Sequence, residues 1–400
     1  MKKNVRVVID LGNSQTRVVM SGKDINGVNI NEYFTLPNVY SVVSKDVDRT
    51  AYDGTDSVIF DVIAKDGSKQ TLATGKIGNE YTTKIQPTGL GQKYLADTTR
   101  IGLSRVMVDV INRVAKLTNM QQIEVFDKVA LEVFLMVPPM EVNKAQEELS
   151  ELLKPSVTIS ESFPEEIKGD IEVVNVKILN EGLMGFVAAS LDYDTLQPRQ
   201  LAHDIRRSRC VVLDIGAGTT EVLVVDKNTL IETSRTTMRM GCINIINQIK
   251  QQFEAMQGFS VPMEDVEKAA ITGYLKVGRT KYDVIDLVNQ ARKNVAGAMV
   301  TGLNSYLSSM LIPLATVEDI LVFGGGAINR SGAGLESFVD YLEEPIKKQA
   351  PGAQIVDYHQ FIGQPVSKSN SFTGDEFVFT ERTMNILGAA ILVKAMPERS

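Results

Sequence analysis

Two stretches of this chain join an aspartate, a glycine turn and a threonine at one spacing: Asp10-Leu11-Gly12-Asn13-Ser14-Gln15-Thr16 and Asp214-Ile215-Gly216-Ala217-Gly218-Thr219-Thr220. Small residues in a tight turn let backbone N–H groups and short hydroxyls approach phosphate oxygens. Gly12, Asn13, Ser14, Gln15 and Thr16 from one turn, and Gly216, Ala217, Gly218, Thr219 and Thr220 from the other, are therefore candidate phosphate contacts. An aspartate cannot favourably touch phosphate, so Asp10 and Asp214 read as ligands, through water, of a Mg2+ that neutralises it. Arg17, in the strand after the first turn, can aim its cation at a phosphate. Glu181 precedes Gly182 and Gly185 at a strand end, a position from which a carboxylate orients an attacking water. Gly324-Gly325-Gly326-Ala327, after the apolar run Ile320-Leu321-Val322-Phe323, permits close backbone approach to a flat or anionic ligand. Taken singly, each has a plainer reading: a hairpin with an Asx turn, an exposed strand charge, a solvated helix start, a flexible glycine run.

The elements that must position these residues decide between the readings. VVIDLGNSQTRVVM (7–20) and VVLDIGAGTTEVLV (211–224) match at Val7/Val211, Val8/Val212, Asp10/Asp214, Gly12/Gly216, Thr16/Thr220 and Val18/Val222, so the polar turn aligns as well as the apolar flanks. Each copy is two β-branched runs around a glycine turn, a β-hairpin opening one half of the chain. The copies lie about two hundred residues apart, a domain-sized interval. Two similar α/β domains facing each other across a ligand cleft are expected.

Between the copies, helical spacing of Ile101, Val106, Val110, Val114 and Leu117 predicts a helix, followed by a buried strand from Val129 to Val137 that ends at Pro138-Pro139. A helix over Glu141–Leu153, a strand around Ile171–Leu179 and a helix over Gly182–Leu191 follow. After the second hairpin, helices are predicted around Ile243–Phe253, Val284–Leu311, Leu335–Ile346 and Met384–Met396. Residues 33 to 97, with turns at Asp53-Gly54 and Asp66-Gly67, read as an inserted subdomain. The expected division is 1–185 for the first half, joined by a C-terminal helix at 384–400 packing back on it, and 186–383 for the second.

Composition narrows the function classes. The chain has 400 residues, 44% hydrophobic and 23% charged, enough for two or three domains with ordinary cores. No run is long and apolar enough to span a bilayer, and Asp10 and Gly12 interrupt the stretch a secretory leader would need. Two cysteines, Cys210 and Cys242, read as inert buried thiols of a reducing compartment, and with His203 and His359 they do not form a zinc pattern. A net charge of −7 disfavours broad contact with DNA, and the cluster Arg206-Arg207-Ser208-Arg209 reads as an exposed connector.

These residues resemble the actin, sugar kinase and heat-shock chaperone superfamily. Asp10-Leu11-Gly12-Asn13-Ser14 resembles its first phosphate motif and Asp214-Ile215-Gly216-Ala217-Gly218-Thr219-Thr220 its second. Val322-Phe323-Gly324-Gly325-Gly326-Ala327 resembles its adenosine motif. Glu181 with Gly185 and Ala188-Ala189 resembles the first connecting helix, and Asn385 with Gly388-Ala389-Ala390 the second. Arg17 stands where many relatives have lysine, and Asn13 where many have glycine or threonine. The resemblance implies an α/β fold of two actin-like (ribonuclease H-like) domains around a nucleotide cleft, with inserted subdomains. It further implies Mg2+ with ATP or GTP as cofactor and Glu181, Asp214 and Asp10 as the catalytic residues.

The length leaves no room for a chaperone's peptide-binding domain after the terminal helix, and Asp10-Leu11-Gly12-Asn13-Ser14 with Glu181-Gly182-Leu183-Met184-Gly185-Phe186 looks most like the ParM-type plasmid-segregation actins. That likeness implies a cytoplasmic ATPase that assembles with itself into filaments and reaches plasmid DNA through a DNA-binding adaptor, with neither direct DNA binding nor a membrane partner. The alternatives are a small-molecule kinase of the same fold, for which no sugar-contact signature is evident, and a non-filamentous nucleotide-binding scaffold.

Overall fold

The computed structural model describes residues 3–12, 15–23, 29–44, 58–63, 69–75, 77, 84–85, 97–117, 129–153, 157–159, 162–163, 169–199, 205–326, 334–357, 373–374 and 383–397. The chain divides into two compact units. The first comprises Met1–Asn180, Val366–Phe377 and Leu392–Ser400, and the second Glu181–Pro365 and Val378–Ile391.

In the first unit, β1 (Lys3–Leu11), β2 (Gln15–Lys23) and β3 (Asn29–Pro37) form an antiparallel meander. A smaller sheet takes in β4 (Tyr40–Val42), β5 (Val58–Ile63), β6 (Lys69–Thr74) and β7 (Lys84–Ile85). Helix α1 (Asp97–Leu117) leads to β8 (Val129–Val137), which lies parallel to β1. Helix α2 (Val142–Leu153), β9 (Val157–Ile159) and β10 (Ser162–Phe163) follow, and then β11 (Gly169–Asn180), parallel to β8. Val5, Val7, Ile9 and Leu11 alternate onto one face of β1 and pack in a single core with Ile101, Val106, Val110 and Val114 of α1 and with Leu149 of α2. Val8, on the other face, is buried as well, which is why this strand reads as a nearly continuous apolar run. Arg6 anchors the end of the chain to this unit: its Nε donates to Glu132 (3.0 Å) and its Nη1 to the carbonyls of Val393 and Met396 (3.2 Å each).

The second unit repeats the plan. Helix α3 (Glu181–Ser190) precedes β12 (Arg209–Ile215) and β13 (Thr220–Asp226), an antiparallel pair edged by β14 (Thr229–Leu230) and β15 (Thr236–Met238). Helices α4 (Cys242–Gln257) and α5 (Met263–Thr272) lead to a separate hairpin of β16 (Tyr274–Val277) and β17 (Thr280–Asp283). The long helix α6 (Ile285–Ser309) follows. Strand β18 (Asp319–Phe323) then lies parallel to β12 and to β19 (Gln354–Asp357), with α7 (Phe338–Gln349) between them in sequence. The short β20 (Thr373–Gly374) pairs with β3 in the first unit, and α8 (Met384–Ala395) closes the fold. Both units thus carry an antiparallel hairpin whose first strand is continued by two parallel neighbours, the pairing β2-β1-β8-β11 in one and β13-β12-β18-β19 in the other.

Several sequence expectations meet differences here. Tyr33 to Pro37 do not belong to an insert: Phe34 and Leu36 alternate into the main core, so these residues complete β3. The small sheet begins only at Tyr40 and draws β10 from much later in the chain. Strand β11 carries a bulge between Val173 and Asn175. Helix α5 and the β16–β17 hairpin were not expected from the pattern, because both are short and expose half their residues. Residues of α8 up to Ile391 group with the second unit, and those from Leu392 onward with the first. Cys210 is fully buried, its thiol pKa pushed up by desolvation, whereas Cys242 is only partly buried at the start of α4. The basic connector is only partly exposed: Ser208 is buried, and Arg209 pairs with Asp226 (2.7 Å). Among the described residues, no helix is long and apolar enough to cross a membrane.

Candidate nucleotide site

The two hairpins share their geometry residue for residue. In β1–β2, Asp10 lies opposite Arg17 and Leu11 opposite Thr16; in β12–β13, Asp214 lies opposite Glu221 and Ile215 opposite Thr220. A Cβ on Gly12 would stand 2.7 Å from the Gln15 carbonyl, and one on Gly216 3.0 Å from the Thr219 carbonyl. The same close chain crossing therefore excludes a side chain at Gly12 and crowds one at Gly216.

What surrounds the turns differs. In the first unit, the Asn38 side chain fastens the hairpin: its Nδ2 donates to the Gly12 carbonyl, and its Oδ1 accepts from Thr16 Oγ1 (2.6 Å) and from the Tyr40 hydroxyl (3.0 Å). Asp10 accepts from Arg17 Nη1 at 3.2 Å, and both side chains are nearly buried. The Arg17 cation is thus placed against the carboxylate beside it. Asn13 and Ser14 lie outside the described residues, and Gln15 is exposed at the start of β2.

In the second unit, a helix end replaces the asparagine. The backbone N–H groups of Cys242 and Ile243, at the start of α4, donate to the carbonyls of Gly216 (3.2 Å) and Ala217 (2.8 Å). Gly216 N–H closes the turn onto the Thr219 carbonyl (2.7 Å), and Thr220 Oγ1 donates to the Met240 carbonyl (2.6 Å). The N–H groups of Ala217, Gly218 and Thr219 have no acceptor among the described residues. Three consecutive unclaimed amides in a turn whose carbonyls are held by a helix N-terminus make a nest suited to an anion.

Strand β18 brings the glycine triplet to the same place. Gly324 has φ +97°, and a Cβ there would lie 2.6 Å from the Ile215 carbonyl and 2.7 Å from the Ile215 nitrogen. Gly326 N–H donates to that carbonyl (2.6 Å), and its own Cβ would meet Ile215 Cγ2 at 2.5 Å and Cys242 Sγ at 2.9 Å. Backbone conformation and space both demand glycine at 324. Ala327 lies outside the described residues.

Asp214 itself is nearly buried, and its Oδ2 accepts from Asn385 Nδ2 of α8 at 2.6 Å. Glu181, also nearly buried, opens α3, which packs against β12 and β13. The second unit therefore gathers Asp214, the turn Gly216–Thr220, the triplet Gly324–Gly326 and Asn385 around one strand end. The first unit gathers Asp10, Gly12, Thr16 and Arg17. The oxygen donors in both, carboxylate and hydroxyl, suit a hard cation such as Mg2+, which keeps much of its water and leans on phosphate. Asn38 and Gly241 were not evident as site residues. Gly241 shows itself only as a glycine just before a helix, and Asn38 carries no local signal at all.

Comparison with known proteins agrees with this architecture. Residues 212–330 match the family model described as archaeal actin homologue MreB-like, C-terminal. Comparison with the curated proteins finds no match. Among solved structures, Ta0583, an archaeal actin homolog, superposes with a TM-score of 0.63 at 14% identity over 98% of this chain and 100% of its own. ParM of Bacillus thuringiensis, solved with ATP, gives 0.59 at 17% identity over 99% and 100%. ParM from a 15-stranded filament of Clostridium botulinum gives 0.59 at 14% identity over 99% and 100%. The fold of this chain is that of the actin homologues, with an archaeal actin and ParM proteins among the structures it resembles.

Proposed function

We propose that this chain is a cytoplasmic actin-like ATPase that binds Mg2+ with ATP or GTP, polymerises, hydrolyses the nucleotide and segregates plasmid DNA through a DNA-binding adaptor. The observation that carries the nucleotide reading is the turn after Asp214, with three adjacent N–H groups that no described residue claims. Ala217, Gly218 and Thr219 give these amides to phosphate oxygens, and Asp214 holds the hydrated Mg2+. Gly324, Gly325 and Gly326 let the nucleoside lie on bare backbone. In the first unit, Gly12, Thr16 and their turn are the corresponding phosphate contacts, and Asp10 is the corresponding water-mediated metal ligand. Bound Mg2+ supplies charge neutralisation for the transferring phosphoryl group. Glu181 orients the attacking water and takes its proton. Support for assembly comes from the structural relatives, one of which is a ParM filament; head-to-tail contacts between unlike ends give such open polymers.

The deciding experiment follows light scattering, pelleting and phosphate release together after mixing the protein with Mg2+ and ATP, GTP, ADP or no nucleotide. Triphosphate-dependent pelleting followed by phosphate release is expected. A protein that stays monomeric at high concentration with every nucleotide loses the filament reading, and a screen of phosphoryl acceptors then tests the kinase alternative. Glu181→Gln is expected to slow phosphate release about a hundredfold, the usual contribution of a positioned general base, while triphosphate-dependent pelleting persists.

Gly241→Ala tests the phosphate turn separately. Gly241 has φ −160°, open to any residue, so crowding alone excludes a side chain: the added Cβ would meet the Gly216 and Ala217 carbonyls at 2.7 and 2.8 Å. Those carbonyls are backbone and can yield only by deforming the turn. Nucleotide affinity should fall about tenfold or more, the worth of roughly one charge-assisted hydrogen bond. Titration with a fluorescent nucleotide checks this, alongside a thermal melt that stays cooperative.

A further inference from the structure

Asp214 does not stand alone in its pocket. A carboxylate oxygen only accepts, so the Asn385 atom 2.6 Å from Asp214 Oδ2 is the amide nitrogen, and the orientation of the whole side chain follows. Asn385 Oδ1 is thereby turned elsewhere. It is buried and has no hydrogen-bond partner among the described residues. A buried amide oxygen left unsatisfied beside a carboxylate calls for a donor that none of the described residues supplies. The neighbouring groups narrow its chemistry: Asp214 takes a cation, and the amides of Ala217 to Thr219 take an anion. A water in the shell of a divalent cation donates strongly and is polarised away from accepting, so it satisfies an amide oxygen and a carboxylate oxygen side by side.

We propose that Asn385 is a positioning residue for the metal: its Nδ2 holds the Asp214 carboxylate in place and its Oδ1 accepts from a water bound to the divalent cation. The inference rests on the nucleotide reading above and adds a second oxygen to the cation's outer shell. Helix α8 can carry this role because Gly388 crosses α3 at backbone contact, with a virtual Cβ 2.6 Å from the Met184 carbonyl carbon. Asn385 is thus held by packing one helical turn earlier.

The test measures Mn2+ binding to the protein–ADP complex by electron paramagnetic resonance, and ADP binding in chelator with a fluorescent analogue. Asn385→Ala should weaken Mn2+ by ten- to a hundredfold, as loss of an outer-shell partner does, and leave metal-free ADP affinity unchanged. Equal Mn2+ affinity in variant and wild type overturns the proposal, and so does an equal loss in both assays, which marks a packing effect. Asn385→Leu keeps the side-chain volume should the alanine variant fail to fold, and the same two assays with the same overturning outcomes apply to it. Wild-type protein that binds no nucleotide with or without Mn2+ would sink the nucleotide reading itself, an outcome separate from either result on the variants.

Discussion

Asp214→Ala is expected to lower nucleotide hydrolysis by on the order of a hundredfold or more, as removal of a preorganised charge at a transferring phosphoryl group does, and to do so without unfolding the protein. The two aspartates of the repeat differ in what they leave behind. Asp10 neutralises Arg17, which is nearly buried, so Asp10→Ala strands a cation and costs about 3–5 kcal/mol of stability. The hydrogen bond that Asp214 accepts from Asn385 comes from a neutral amide, so its loss leaves no charge on that partner. Lost activity in Asp214→Ala is read as chemistry where the melt is unchanged, whereas lost activity in Asp10→Ala mixes chemistry with folding. Phosphate release with a Mg2+ titration, read beside a thermal melt, checks the difference. Asp214→Asn, which keeps the shape and removes the charge, should share the defect. Wild-type turnover in either Asp214 variant would remove this residue from the metal site.

The repeat was legible because its signal is local. A strand, a glycine turn and a strand occupy fourteen consecutive residues, and the identical pairing of Asp10 with Arg17 and of Asp214 with Glu221 follows from turn length alone. Strands β8 and β18 were equally plain, being buried on both faces. The supports of the turns were not. The Gly12 carbonyl is held by a side chain from after β3, and the Gly216 carbonyl by the first amide of a helix that starts beyond β15. One position is filled by an asparagine and the other by backbone, so no residue pattern links them. Arg17 shows the converse: its place in the strand was readable, but its partner follows from cross-strand register rather than residue type. Asn385 could be matched to a motif, yet its bond to Asp214 spans a sequence separation that no periodicity encodes.

Gly388→Ala is expected to destabilise the second unit more than any other single methyl considered above. The new Cβ would lie 2.6 Å from the Met184 carbonyl carbon and 3.1 Å from the Ala188 nitrogen, closer still to the Met184 oxygen, and all three are helix backbone that cannot rotate away. Gly185 differs, because its Cβ would run into the Phe323 ring, a side chain rather than backbone. Overpacking of this kind costs about 3 kcal/mol, and a unit of this size loses roughly 2–4 °C in melting temperature per kcal/mol. A fall of about 6–12 °C by calorimetry is the expected result; an unchanged melt would show that α3 and α8 do not cross at these residues. The damage should reach function as well as stability. Glu181 opens α3 and Asn385 lies in the first turn of α8, each about one helical turn before the crossing. Prising the helices apart moves both side chains relative to Asp214, so the variant should hydrolyse nucleotide slowly even well below its melting temperature. A purely structural crossing would leave turnover of the folded fraction at the wild-type value, and that comparison separates a glycine kept for packing from one kept for the site.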